Sequence, residues 1–506
     1  MLFNSYIFIL FFLPFTVTGY FLINKHLKAR NNKIDLWWLF LASAWFYGYA
    51  NEICLFLLLA SICINYYISK KINDKRQLWE LSKAKKWMIL GIVFNLTLLI
   101  YFKYYNFFVS NLNQLFQQDW TIRNLFLPLG ISFFTFKQIA YIVDCYKEKE
   151  LICYEWIEYA TYVMFFPQLV SGPIGLHYEF IPQIRDDARK IVDYNSLSQG
   201  MYAIALGLGK KVLIADNLSK LVSVGYANVE GLNGGSAWFV MMAYTMQIYF
   251  DFSGYSDVAL GIEKMLNLNP VVNFNSPYKA KTVSEFWDRW HMSLTRFFTR
   301  YVYIPLGGSR KGRIRTYVNT MLIFLLSGFW HGADWTFILW GFFHGIFMIL
   351  EKIIKDLWKK LDGIVFVNRI MLFVGKIIGV TYTFLFINLT WVLFRASTIK
   401  QAKIFVGKLF LLRGRLLVEI LEKANNIVEI RVLSRLGIEG MLEKYPQMLS
   451  IIFMIVLCVA VFFGKNTQEK MKQDKYGVWR SLLTITLIVW AVLSFSDVSE
   501  FLYFNF

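Results

Sequence analysis

Two histidines and an aspartate lie inside an otherwise apolar stretch of the chain, SGFWHGADWTFILWGFFHG, residues 327–345. His331 comes 16 residues after Arg315, which is roughly 24 Å along a straight helix. An ionisable side chain at such a depth in a membrane is costly and usually lines a cavity or a pathway. A neutral imidazole there is suited to act as general base on a hydroxyl, a role that typically contributes about 10²–10⁴ in rate. The alternative, a packing histidine bonded to a backbone carbonyl, stays open on spacing alone.

The neighbours of His331 add candidate residues for a passage through the protein. Gly328 and Gly332 flank the histidine and allow a sharp bend or close helix packing. His344 lies 13 positions further on and is predicted to be a packing residue. Candidates for lining a passage beside His331 are Trp330, Asp334 and Trp335.

A second histidine lies in a patterned stretch, SEFWDRWHMSLTRFFTRYVYIPLGG, residues 284–308. An apolar stripe recurs every three or four residues, with the arginines on a separate face. This pattern predicts an interfacial amphipathic helix that ends at Pro305 and the following glycines. His291 and Trp287 fall on the edge of the buried side. His291 could therefore point inward beside His331, although spacing does not show that the two approach each other.

Other polar residues within apolar runs have less specific patterns. Asp251, Ser253 and Asp257 in FDFSGYSDVALG either line a polar passage or satisfy one another. GLGKK, residues 207–211, is not a complete phosphate loop and is interpreted as a span that ends at the cytoplasmic face. The histidine spacing argues against a metal site, and the five scattered cysteines indicate no disulfide framework. Neither a nucleophile elbow nor a P-loop is present.

The elements that must position these residues are membrane helices. The chain has 506 residues, of which 57 % are hydrophobic and 17 % charged. Apolar runs of about 20 residues, enough to cross a bilayer, recur along its whole length. Continuous runs argue against a β-barrel, whose strands alternate. The sequence therefore predicts an all-α polytopic membrane protein.

The net charge of +19 is concentrated in four basic clusters, near residues 25–33, 70–86, 279–315 and 465–480. Lysine and arginine collect in cytoplasmic loops during membrane insertion, so these clusters predict the cytoplasmic side. Nucleic-acid binding would also explain such charge, but the apolar spans make it the weaker interpretation.

The spans form a single integral membrane domain, residues 1–506, with a core over 1–400, an amphipathic surface segment over 398–446 and C-terminal spans over 447–506. Residues 1–23 are expected to be a retained first span. Residues 36–69 are expected to make two passes that turn near Asn51. Residues 125–144 and 165–175 carry prolines and glycines in apolar runs and are expected to be broken or re-entrant. Further spans are predicted near residues 87–102, 104–118, 156–171, 197–214, 236–262, 316–350 (a pair), 371–394, 447–464 and 481–497.

Six motifs in order resemble the membrane-bound O-acyltransferase superfamily, and most closely its bacterial alginate O-acetyltransferase-like branch. They are FFPQLVSGPI, FDFSGYSDVALGI, NFNSPYKAKTVSEFWDRWHMSLTRF, YIPLGGSR, FWHGADWTFILWGFFHG and NLTWVLFRAS. The resemblance implies that His331 is the essential residue and His291 the second polar position. It also implies a ring of about 11–13 transmembrane helices, with re-entrant and interfacial helices, around a thinned centre. Funnels from both faces would meet at the histidine.

The resemblance further implies a reaction and a place in the cell. In a bacterial cytoplasmic membrane, the protein would take an acetyl group from a cytoplasmic thioester such as acetyl-coenzyme A, with no resident cofactor. It would deliver the group to a separate extracytoplasmic SGNH-type transferase, which esterifies a polysaccharide. The alternatives are D-alanyl or longer acyl transfer to teichoic acid, lipid or protein, and a transporter or channel that uses the same buried polar groups.

Overall fold

The structure is a computed structural model that describes residues 1–27, 33–361, 369–411, 446–473 and 477–495. All regular elements in these ranges are helical, which confirms the predicted all-α class. The helices are α1 Leu13–Leu27, α2 Ile34–Gly48, α3 Glu52–Gln77, α4 Leu81–Leu99, α5 Tyr105–Phe116, α6 Ile131–Lys147, α7 Trp156–Met164, α8 Phe166–Leu169, α9 His177–Arg185, α10 Tyr194–Leu208, α11 Asp216–Ala227, α12 Gly234–Met265, α13 Val283–Arg289, α14 Met292–Phe298, α15 Arg313–His331, α16 Trp335–Leu361, α17 Arg369–Arg395, α18 Ile399–Leu409, α19 Pro446–Phe463, α20 Thr467–Gln473 and α21 Val478–Leu493.

Within the described ranges, five helices are long and apolar enough to cross a membrane. They cover Phe8–Leu27, Glu52–Gln77, Leu81–Phe116, Trp335–Leu357 and Val374–Arg395, and α19 and α21 contain shorter apolar helices. The chain is therefore a multi-pass membrane protein. The predicted first span and the helix pair over residues 316–350 correspond to α1 and to α15 with α16.

The predicted turn near Asn51 is confirmed. The Asn51 side chain accepts a hydrogen bond from the Cys54 amide (3.0 Å) and so caps the start of α3. Asparagine at this position satisfies one of the amides that every helix start leaves without an intrahelical partner. The chain therefore reverses here and α3 returns towards the side on which α2 began.

One predicted span boundary is wrong because a π-helical segment carries the helix past it. The segment Ile100–Tyr104 joins α4 and α5 into one 36-residue pass, where two spans were expected. A second π-helical segment, Gly209–Ala215, joins α10 to α11. A π segment inserts residues without breaking the helix, and such segments are frequent at functional sites.

The predicted breaks in the apolar runs 125–144 and 165–175 are confirmed. Gly130 precedes α6 with φ +70°, and a Cβ there would lie 2.5 Å from the Leu169 carbonyl oxygen. Residues 131–145 of α6 are all buried, as are residues 165–175. Irregular backbone at membrane depth needs such support from surrounding protein.

The predicted single interfacial helix over residues 284–308 is wrong. The chain breaks between α13 and α14 at His291, which has φ +48°. Trp290 and His291 are fully buried, and the ring of Trp290 contacts those of Phe286 and Trp391. The apolar stripe thus faces the protein core, so α13 and α14 enter the interior instead of lying on the bilayer surface.

Contacts between distant loops define two sides of the molecule. The basic side carries the four basic clusters. Arg76 bonds the Cys145 carbonyl, Lys33 pairs with Glu158 (3.0 Å), and Lys279 donates to the Gly464 carbonyl (2.6 Å). Lys28 and Arg30 of the first cluster lie outside the described residues.

The opposite side carries the other ends of the helices. Tyr47 donates to the Leu129 carbonyl (2.8 Å), and Trp335 donates to Asn111 (2.8 Å). The placement of all four clusters on one side is the pattern that positive-inside topology produces.

The predicted amphipathic segment over residues 398–446 is described only in its first part. Helix α18 buries Ala402, Phe405 and Leu409, and the Leu409 carbonyl accepts a bond from Trp238 (3.0 Å). Residues 412–445 of this prediction lie outside the described residues, as do residues 496–506 of the predicted C-terminal spans.

Candidate active site

His331 is the last residue of α15 and is held by close packing of that helix on α16. A Cβ on Gly328 would overlap the Phe337 carbonyl oxygen and lie 3.3 Å from the Gly341 Cα. Two glycines facing each other let helix backbones approach more closely than other residues allow. The predicted close packing at Gly328 is therefore confirmed, and it fixes the height and rotation of the histidine.

The His331 side chain lies in an aromatic cage. It is 2 % exposed, and its ring centroid lies 4.7 Å from Trp330, 5.2 Å from Trp340 and 5.0 Å from Phe394. Such walls exclude bulk water, which strengthens the electrostatic effect of any polar group inside.

His291 lies on the other side of the Trp330 indole. Its ring centroid is 5.8 Å from Trp330 and 4.8 Å from Phe252, and the side chain is fully buried. The left-handed backbone at His291 turns the side chain into the core between α13 and α14. The structure thus brings His291 and His331 to the same tryptophan, a proximity that spacing left open. Their catalytic roles stay predictions.

A small cavity, here called the outer cavity, lies beside His331 towards the opposite side. Its volume is about 40 Å³, which is room for a few water molecules. Its walls are Lys103, the segment 127–133, Val170, Trp330 and His331. Sequence reasoning missed Lys103, although a single cation within the apolar run 87–116 was a signal for it.

A much larger cavity, here called the inner cavity, opens on the basic side. Its volume is about 1210 Å³, and its walls include Trp287 and Met292, on either side of the Trp290–His291 break. The Trp287 ring lies 5.7 Å from that of Trp340, which in turn contacts His331. The Trp287 and Trp340 rings therefore form an aromatic layer between the inner cavity and the histidine. The inner cavity is not lined by His331, so the funnel that the resemblance implies from the basic side does not reach the histidine.

The charged wall of the inner cavity is balanced. Arg296 pairs with Glu179, and Arg300 pairs with Glu148 (2.6 Å) and Asp144 (3.4 Å). These arginines belong to the basic cluster over residues 279–315. Their two positive charges are compensated by the three neighbouring carboxylates.

Two predicted lining residues are placed elsewhere. Trp335 is 53 % exposed on the opposite side, where its indole bonds Asn111, and it lines neither the outer nor the inner cavity, so its role in a passage stays a prediction. The Asp334 carboxylate accepts a bond from the Thr336 amide (2.9 Å) and caps α16. Capping turns this side chain towards the helix start and explains a charge in the apolar run. Trp330 and Trp287, by contrast, line the outer and the inner cavity.

The two aspartates of α12 form ion pairs with lysines of the preceding helical segment, an arrangement that neither of the two alternatives for them predicted. Asp251 pairs with Lys211 (2.7 Å), and Asp257 pairs with Lys210 (2.6 Å). Ser253 is buried on the same helix. The lysines belong to the GLGKK segment, and both are partners of α12 carboxylates. Lys210 also donates to the Thr467 hydroxyl (3.0 Å), which belongs to the basic cluster over residues 465–480, so the interpretation of this segment as the cytoplasmic end of a span stays a prediction.

His344 has the environment of a packing residue. It accepts from the Trp287 indole at Nδ1 (3.2 Å), and its Nε2 lies 3.1 Å from the Thr390 hydroxyl. The side chain is fully buried, and its ring contacts Trp340. It therefore supports the aromatic layer between the inner cavity and His331.

Comparisons with known proteins bear on this geometry. Residues 147–394 match the model of MBOAT, the membrane-bound O-acyltransferase family. A peptidoglycan O-acetyltransferase of Helicobacter pylori is 35 % identical and is aligned over 100 % of this chain and 98 % of its own. A probable alginate O-acetylase of Pseudomonas aeruginosa is 35 % identical over 79 % of this chain and 73 % of its own. A teichoic acid D-alanyltransferase of Bacillus subtilis is 29 % identical over 47 % of this chain and 62 % of its own.

These matches confirm the resemblance of the six motifs and identify the protein as an enzyme that transfers acyl groups. The matched region contains His291, His331 and most of the inner cavity. The chain belongs to the membrane-bound O-acyltransferase family.

Proposed function

We propose that the protein moves acetyl groups from a thioester donor on the cytoplasmic side to an acceptor on the other side of the membrane, for O-acetylation of a cell-envelope polysaccharide. The observation that carries the proposal is the placement of two cavities towards opposite sides of one aromatic layer. His331 and Trp330 line the outer cavity, and Trp287 lines the inner one. The basic side, with its four charge clusters, is the cytoplasmic side.

In the proposed reaction, His331 is the general base. It takes the proton of an acceptor hydroxyl, whose oxygen attacks the carbonyl carbon of the acetyl thioester. The carbon–sulfur bond breaks, the ester forms, and the proton passes to the leaving thiolate. His291, across Trp330, assists by orienting the reacting groups. The aromatic cage excludes water, which would otherwise hydrolyse the thioester.

The size and charge of the inner cavity support a thioester donor on the basic side. A volume of about 1210 Å³ accommodates an extended thioester arm. Arg296 and Arg300 already pair with carboxylates, so the cavity wall favours the arm over a strongly anionic nucleotide. We expect acetyl-coenzyme A to place its arm in the cavity and its phosphates nearer the exposed basic loops. The contact between the Trp287 and Trp340 rings would then have to open for the acetyl end to reach His331.

The small volume of the outer cavity limits the size of the acceptor group that can reach His331. Room for a few water molecules admits one hydroxyl on a narrow segment, whereas a sugar ring would not fit. A separate extracytoplasmic SGNH-type transferase would therefore receive the acetyl group and esterify the polymer. Peptidoglycan is the first polymer to test, because the relative named for it matches along the whole chain. The D-alanyltransferase relatives match less than half of the chain, which favours acetyl over D-alanyl transfer.

The test is acetyl transfer by the purified protein in liposomes. Radiolabelled acetyl-coenzyme A is supplied with a small hydroxyl acceptor, and rates are normalised to folded protein. We expect His331→Ala to lose at least about 10²-fold in rate. His344→Gln, a change at the other buried histidine of the same aromatic layer, is expected to retain most of the rate. A folded His331→Ala protein that transfers acetyl groups at the parental rate rules out the assignment.

A further inference from the structure

The last turn of α15, which ends at His331, is bonded by two side chains of another helix. Lys103 Nζ donates to the carbonyl of Trp330 and lies 3.4 Å from that of His331. The hydroxyl of the adjacent Tyr104 donates to the Phe329 carbonyl (2.9 Å). Three successive carbonyls, those of residues 329–331, therefore have donors from one two-residue segment.

These bonds meet a specific need of the helix end. The last four carbonyls of an α-helix have no intrahelical partner, and they form the negative end of the helix dipole. The Gly332 amide reaches only the Gly328 carbonyl (3.3 Å), so residues 329–331 depend on other donors. A lysine is well suited to this position, because cations stabilise helix C-termini.

The backbone around Lys103 is built for this contact. Lys103 and Tyr104 lie in the π segment Ile100–Tyr104, which carries one more residue per turn than an α-helix and so changes the direction of its side chains. The Tyr104 ring stacks on that of Phe329 with centroids 4.1 Å apart. Lys103 is also a wall of the outer cavity, beside Trp330 and His331.

We propose that Lys103, together with Tyr104, is a positioning residue that holds the last turn of α15 and thereby aims His331 into the outer cavity. The proposal rests on the function proposed for His331. Lys103 acts through the backbone of residues 329–331 and lies on the acceptor side. It is therefore expected to affect the acetyl-transfer step and not the binding of the donor from the inner cavity.

The chain contains a matched control, Lys137. Its Nζ also donates to a backbone carbonyl, that of Tyr162 (2.6 Å), and also lies over an aromatic ring, at 4.6 Å from the Tyr162 centroid. Lys137 is buried within α6 and bonds α7 instead of the turn that carries His331. The Lys137→Met variant therefore measures how much activity the protein loses when a buried lysine–carbonyl bond away from His331 is removed.

The test compares Lys103→Met, Lys103→Arg, Tyr104→Phe, Lys137→Met and His331→Ala in liposomes with radiolabelled acetyl-coenzyme A. We expect Lys103→Met to lower kcat about ten- to a hundred-fold, because a misplacement of about 1 Å at a reacting group has an effect of this size. The KM for acetyl-coenzyme A is expected to stay within two-fold. Lys103→Arg is expected to recover at least half of the lost rate on a logarithmic scale. Tyr104→Phe is expected to lower kcat by about three-fold, and Lys137→Met to keep kcat within three-fold per folded molecule.

The outcomes separate the two proposals. A folded Lys103→Met protein with kcat within two-fold of the parental value overturns the positioning role, and so does an equal loss of kcat in Lys137→Met. If Lys103→Met does not fold, Tyr104→Phe decides, since it removes one hydroxyl only. A lower kcat at constant KM then supports the role, and an unchanged kcat overturns it. A fully active His331→Ala protein instead overturns the proposed function, whatever the Lys103 variants do.

Discussion

Substitution of Gly328 by alanine tests whether helix packing sets the position of the catalytic candidate. The new Cβ would overlap the Phe337 carbonyl oxygen of α16, and it would lie 3.3 Å from the Gly341 Cα. Relief of this overlap requires α15 and α16 to separate by about 1 Å, because non-bonded heavy atoms prefer separations of about 3.5–4.0 Å. His331 lies three residues further along α15 and moves with it.

The expected magnitudes follow from this geometry. Overpacking in a tight contact costs about 1–3 kcal/mol of stability. A displacement of about 1 Å at a reacting group lowers the rate about 10²-fold. We therefore expect Gly328→Ala to melt at a lower temperature and to lose about 10²-fold in acetyl transfer per folded molecule.

Gly375→Ala is the control substitution, and its expected effect on stability is opposite to that of Gly328→Ala. Gly375 lies in α17, and an alanine Cβ there would meet no atom within 4 Å. Gly375→Ala is expected to stabilise its helix by about 0.5–1 kcal/mol and to leave transfer unchanged. The reasoning is refuted if Gly328→Ala melts and transfers as the parental protein does, or if both substitutions have the same effect.

Three further substitutions test the polar contacts of the described core. Lys211→Met removes the cation that the buried carboxylates of Asp251 and Asp216 share and is expected to cost about 3–5 kcal/mol, measured by thermal unfolding in detergent. The double variant with Asp251→Asn should recover part of that loss, and equal melting of single and double variants would contradict the pairing with Asp251. Asp334→Ala removes the cap of α16 and is expected to cost about 1 kcal/mol, whereas Asp334→Asn should be nearly neutral in the same unfolding assay. Trp335→Phe removes one exposed bond to Asn111 and is expected to leave the acetyl-transfer rate within two-fold. A large loss of rate would instead support a role for Trp335 in the passage.

Composition and local patterns predicted the parts of the fold that depend on short segments. The all-α membrane class, the turn capped by Asn51 and the break before Gly130 each follow from a few adjacent residues. The helix pair with close packing at Gly328 was also predicted from its own stretch. Each of these features depends on length, hydropathy or backbone freedom, which sequence records directly.

The errors share a different cause, since they concern residues whose partners are distant in sequence. The ion pairs of the GLGKK lysines were missed, because Lys210 lies 47 positions from Asp257, its partner. The apolar stripe of residues 284–308 indicated a bilayer surface, yet its aromatic rings contact Trp391 in the core. Neither partner is visible within a local window.

In the candidate site too, features recorded in a local motif were predicted, and features that depend on distant contacts were missed. His331 was identified from its own motif, and its neighbour Trp330 does line a cavity. Lys103 was missed because its role arises from contacts with carbonyls 227 and 228 positions away. Trp335 follows the cap at Asp334, and its indole bonds Asn111, 224 positions away, a contact that its own motif does not record.

The central claim is that His331 connects two compartments, and transfer across a sealed membrane tests it most directly. The protein is reconstituted in proteoliposomes of one orientation, with radiolabelled acetyl-coenzyme A on the side of the basic loops and choline on the other side. Choline is a small hydroxyl acceptor whose permanent charge keeps both it and its acetyl ester from crossing the bilayer. Our account predicts labelled acetyl product on the choline side with the parental protein and none above background with His331→Ala. Label that stays on the donor side, or crosses equally well without the His331 imidazole, would contradict it.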